Sequence, residues 1–141
     1  MNKDVLISIK GLQYALEDSD DQRIETINRG SLAMMNDKYI VTYEEILEGL
    51  TSPTKNLIRF NNSIVEVTKK GELSVHLVFE VGQKNVTNYN TPFGSLSIGI
   101  DTHNIIIEEK ESEITVRVEY DMDINYEHVA SCKIDIVIKE V

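Results

Sequence analysis

A chain of 141 residues and 16.0 kDa has room for one folded domain, and 41% hydrophobic against 27% charged residues excludes a disordered composition. Fourteen basic against 24 acidic residues leave a net charge of −10, and no basic run offsets it. Such a surface repels phosphate backbones and anionic bilayers, so neither nucleic acid nor a membrane is an expected partner. Cys132 has no second cysteine to pair with, and no apolar run approaches the roughly 20 residues of a membrane helix or the core of a secretion signal, so a cytoplasmic location is expected.

In chain order, Val5 to Tyr14 reads as a strand with Val5, Ile7 and Ile9 on one face. The acidic segment Glu17 to Asp21 reads as a loop. Ile24 to Met35 reads as a second strand, where Gly30 marks a bulge or close packing. Asn36-Asp37 marks a turn, and Lys38 to Ile46 a third strand. Glu48 to Thr54 is a connection, with a helical turn over Tyr43 to Leu50 as the competing reading. A two-residue turn at Asn61-Asn62 sets Ile58 opposite Val65. A three-residue loop at Lys69-Lys70-Gly71 sets Val67 opposite Leu73.

The second half alternates cleanly. Leu73 to Phe79, Leu96 to Ile100, Ile114 to Ile124 and Ala130 to Ile138 each place apolar residues at every second position. Successive strand side chains point to opposite faces, so each run has one apolar and one mostly polar side. The last hairpin turns near Asn125-Tyr126-Glu127 through a three- or five-residue loop. About nine or ten strands with short turns form a meander, and closing it removes aggregation-prone edges. The expected fold is all-β: residues 1–141 as one small antiparallel β-barrel, with a two-sheet sandwich as the alternative.

Chemical motifs are sparse. His76, His103 and His128 have no ligand spacing, and Cys132 falls on the apolar side of its strand, so no metal or cofactor is expected. The acidic segment lacks the glycine and terminal glutamate of a calcium loop. Glu44-Glu45 and Glu108-Glu109 are adjacent pairs whose members point to opposite faces. From Tyr39 to Glu45, one face carries Tyr39, Val41, Tyr43 and Glu45. If that face is internal, Glu45 needs a buried donor. Arg59 is the candidate, although it also reads as an exposed partner of Glu66. A barrel mouth of Tyr43, Glu45, Arg59 and Tyr89, with Arg117 at the rim, is the expected small-ligand site. In Asn88 to Gly94, Tyr89 and Phe93 are placed to fold over one barrel end.

Three stretches carry a family resemblance: Tyr39 to Glu45; Thr68-Lys69-Lys70-Gly71 with the apolar strand after it; and Tyr89-Asn90-Thr91-Pro92-Phe93-Gly94 followed by Ser95 to Thr102. Gly30 fits a glycine ahead of the tyrosine-rich strand. Together they resemble the uncharacterised YwiB-like β-barrel family of bacteria, a domain family of unknown function. Lys70 departs from the more arginine-like residue of that family. The resemblance implies a calycin-like barrel, similar in shape to lipocalins, and it supplies no activity or catalytic residue.

The leading functional reading is therefore a non-enzymatic cytoplasmic barrel that holds a small, partly apolar ligand. The runner-up is a structural or protein-interaction module with a filled core, a homodimer joined through an open strand edge. An enzyme comes third, since no motif brings Glu45, Arg59, His76 and Tyr89 together.

Overall fold

The computed structural model describes residues 3–11, 25–46, 52–71, 74–91 and 94–141, with the backbone alone for residues 25 and 89–91. The described residues form ten strands: β1 Lys3–Lys10, β2 Glu25–Met35, β3 Lys38–Glu45, β4 Thr54–Phe60, β5 Ile64–Lys70, β6 Val75–Glu80, β7 Lys84–Thr91, β8 Gly94–Glu109, β9 Glu113–Ile124 and β10 Glu127–Glu140. They form one antiparallel sheet in the order β6-β5-β4-β3-β2-β1-β10-β9-β8-β7. The terminal strands β1 and β10 pair, with Ile7 opposite Ile138. The meander thus curls into a nearly closed barrel, and among the described residues the missing ladder lies between the sequential strands β6 and β7. This is the small antiparallel barrel expected from the alternation, in the calycin-like form that the resemblance implies.

The core follows from period two. Val5, Ile7 and Ile9 are buried on β1, Ile58 and Phe60 on β4, Leu77 and Phe79 on β6, Val116 and Val118 on β9, and Ile134 and Ile136 on β10, all in one apolar cluster. Gly30 is a site of close packing. A Cβ there would lie 2.3 Å from the Thr42 carbonyl oxygen and 2.8 Å from Ile7 Cδ1, so β2 lies flush between β1 and β3 only with glycine.

The turns correct several expected registers. Asn36-Asp37 does turn the chain, with φ of 53° and 63°. Both central angles are positive, as in a type I′ turn, whose twist matches that of the flanking strands. Phe60 faces Val65 and Ile58 faces Val67, one residue away from the turn at Asn61-Asn62. Asn61 Oδ1 accepts hydrogen bonds from the Ser63 and Ile64 amides at 2.9 and 3.1 Å, which moves the tight turn to Asn62-Ser63. In the next hairpin Val67 faces Leu77, not Leu73, because β5 continues through Lys69 and Lys70. At Asn125-Tyr126 a two-residue turn with φ of 50° and 72° replaces the longer loop. A bulge between His128 and Ala130 then restores Cys132 opposite Tyr120 and Ile134 opposite Val118. Tyr43 to Glu45 is strand, not helical turn. The acidic segment Glu17 to Asp21, Leu73 and Phe93 lie outside the described residues, as does the Tyr89 side chain.

Candidate functional site

The two ends of the barrel are built differently. At one end Tyr39, on β3, stacks on Phe60 with ring centroids 5.4 Å apart. Its hydroxyl donates to Glu109 at the far end of β8, so the β8–β9 hairpin reaches across this end of the barrel. Beneath it lies a cavity of about 160 Å³, lined in part by Val5, Leu32 and Ile138. The Glu109 carboxylate and burial both push the Tyr39 hydroxyl above its ordinary pKa of 10.0.

The other end carries the polar group. Alternation along β3 turns Tyr43 and Glu45 inward, and alternation along β4 does the same for Thr54 and Asn56. Thr54 sits directly opposite Glu45, and Asn56 opposite Lys69. Lys69 Nζ lies 2.7 Å from Glu45 Oε1 and 2.8 Å from Asn56 Oδ1. Asn56 Nδ2 donates to Glu45 Oε1 and to the Thr54 carbonyl, both at 3.2 Å. Glu45 and Asn56 are buried, and the Lys69 side chain is only 13% exposed. Burial, and secondarily the Glu45 charge, push the Tyr43 hydroxyl far up, so it remains a neutral phenol. Thr54 Oγ1 is buried with no hydrogen-bond partner among the described residues. Gly71 packs over it: a Cβ on Gly71 would lie 3.0 Å from that oxygen.

Tyr43 and Glu45 therefore share the inner face, but the donor to Glu45 is Lys69. Arg59 stands on the outer wall directly opposite Glu66, with its guanidinium 3.0 Å from the carboxylate. One residue of alternation separates it from the interior, which Ile58 and Phe60 face. Arg117 is also external: its Nε donates to Asp135 Oδ1 at 2.8 Å. It lines a cleft of about 570 Å³ on the outer wall, with Lys10, Ile106, Glu108 and Val137. The alternation Thr54, Asn56, Ile58, Phe60 already marks Asn56 as inward, and Val65, Val67 extends to Lys69. Assigning Lys69 to a loop hid it.

A further group on the outer wall has the residue types of a nucleophilic site in the wrong order. Ser131 Oγ donates to Asp121 Oδ1 at 2.7 Å, and His103 Nε2 lies 2.9 Å from Asp121 Oδ2. The carboxylate stands between the hydroxyl and the imidazole, so the imidazole is not placed to take the serine proton. The hydrogen bond that His103 donates to Asp121 raises the His103 pKa above 6.5, and the bonds from Ser131, then His103, lower that of Asp121. Burial raises the Cys132 pKa, which keeps it a thiol, the weaker nucleophile. Among the described residues no group of three or more His, Cys, Asp or Glu side chains is placed to hold a metal ion, and no helix is long and apolar enough to cross a membrane.

A ten-stranded, nearly closed antiparallel wall with an apolar inner face defines a small calycin-like barrel. The family described as "Domain of unknown function (DUF1934)" matches residues 7–136, and the chain belongs to it. Among solved structures, the crystal structure of ywiB protein from Bacillus subtilis superposes with a TM-score of 0.79 at 18% identity, over 99% of this chain and 93% of that one. At that identity the likeness concerns the fold alone. No curated protein matches the sequence.

Proposed function

We propose that this barrel is a non-enzymatic carrier or sensor of a small, partly apolar molecule, held at the end where Tyr43, Glu45, Asn56 and Lys69 face inward. The observation that carries the reading is Thr54 Oγ1, buried and without a partner among the described residues in an otherwise paired polar group. A buried hydroxyl without a partner costs about 1–3 kcal/mol, and a ligand oxygen or N–H at that position recovers it. The chemical class follows from charge balance. Glu45 and Lys69 neutralise one another, so an added ion would disrupt their pair, whereas a neutral head such as an alcohol or amide fits beside it. The apolar part of the ligand would rest on Tyr43 and the apolar residues beneath it. Tyr89 remains a candidate for the rim. Arg59 and Arg117, both paired on the outer wall, are left out of this site.

Native mass spectrometry of protein released intact from cells tests the reading. The expected result is a retained neutral small molecule that is lost in the Thr54→Val variant. Protein that carries no molecule, and whose melting temperature does not respond to neutral amphiphiles, would overturn it.

A further inference from the structure

The sixteen residues from Asn85 to Ile100 contain no aspartate, glutamate, lysine, arginine or histidine, in a chain where 27% of residues are charged. They make up most of the β7–β8 hairpin. This stretch coincides with the gap in the wall. Among the described residues β7 is hydrogen-bonded along β8 only, and its other edge has no ladder. The turn into it is closed by Gln83 N donating to Glu80 O at 3.0 Å, beyond which β6 and β7 make no ladder. Natural proteins guard open edges with charged residues or proline, and Asn85 to Thr91 has neither. Val86 is 55% exposed on the outer side of this strand, and Asn88 is exposed beside it. On the inner side, Asn85 keeps a buried Nδ2 without a partner among the described residues.

We propose that β7 is a self-association edge, pairing antiparallel with β7 of a second copy about a two-fold axis. The charge distribution selects this partner. Two copies each carrying −10 repel over most of their surfaces, and the uncharged stretch of residues 85–100 is where they approach without opposing like charges. A different protein drawn to an acidic surface would be steered by basic groups to the carboxylates, which residues 85–100 lack. Homotypic antiparallel pairing is also self-complementary, since each strand presents the same alternation of N–H and C=O to its twin. This inference is independent of the reading of the barrel end.

Sedimentation velocity across a concentration series, at low and high salt, tests it. The expected result is a monomer–dimer equilibrium that tightens with salt, because screening reduces the repulsion between the copies. Asn88→Lys and Asn88→Glu should each weaken the dimer at least about tenfold by setting like charges beside the axis. Mixing the two variants should restore a dimer, while Ile27→Lys on the distant β2 wall should leave it unchanged. Far-UV circular dichroism verifies that each variant folds. A monomer at every concentration and salt, a dimer indifferent to both Asn88 variants, or equal weakening by Ile27→Lys would each overturn the proposal.

Discussion

The two ends of the barrel solve the same problem with different chemistry. The end at Tyr39 is closed by an aromatic stack and a hairpin reaching across it, with the polar contact of Tyr39 to Glu109 outside the core. The end at Glu45 is closed by a buried ion pair and an amide, each needing the others. Apolar closure depends on volume and tolerates imperfect geometry. Polar closure loses its footing when any one partner goes, because the remaining charge is left in a poor solvent. That asymmetry is one reason the proposed ligand site is set at the polar end.

The comparison can be broken at its strongest points first. Phe60→Ala, at the apolar end, should cost about 3–5 kcal/mol in chemical denaturation, since Phe60 is fully buried. Lys69→Met should cost about 3 kcal/mol by leaving Glu45 unpaired. The decisive measurement is the double variant Glu45→Leu/Lys69→Met, expected to recover most of that loss while abolishing ligand retention. If the double variant is as unstable as the single, the polar end is a structural fastening and not a site. Tyr39→Phe keeps the aromatic stack and removes only the bond to Glu109, at about 1 kcal/mol. A tyrosine pKa raised in the folded state means that the protonated form is favoured there. Its contribution is fully present below the unfolded value of 10.0 and is lost as pH rises through the folded value. The wild-type protein should therefore lose stability relative to Tyr39→Phe above pH 10. The smallest effect is on the outer wall: Asp121→Asn should bring the His103 titration down toward 6.5 by NMR. The stabilisation that His103 provides is present below 6.5 and is lost as pH rises through its folded value, so the two proteins should differ in mildly acidic solution and converge at alkaline pH.

Period two made the inner face legible, because burial on most strands follows alternation whatever the pairing partner, β8 excepted, where a bulge between Thr102 and Asn104 shifts the phase. Val116, Val118, Ile134 and Ile136 are buried as their alternation requires. Register was harder to read. A slip of one residue at Asn61 depended on where an asparagine side chain bonds, and a two-residue turn at Asn125-Tyr126 depended on a bulge three residues away. Both are local contests between turn geometries that composition does not decide. The candidate site was half legible. Tyr43 and Glu45 followed from alternation, but their partner Lys69 comes from two strands further along the sheet. Lysine in such a position resembles any surface lysine until the sheet curls. Arg59, an equally reasonable donor by residue type, meets Glu66 because directly opposite positions of a hairpin share a face.

The missing ladder also has a dynamic consequence. A strand fastened along one side can peel away while the other nine stay in place, so β7 should open at a free energy well below that of global unfolding. Its amides would be among the first of the sheet to exchange with deuterium, and a molecule bound inside would have a sideways exit that leaves both ends of the barrel shut.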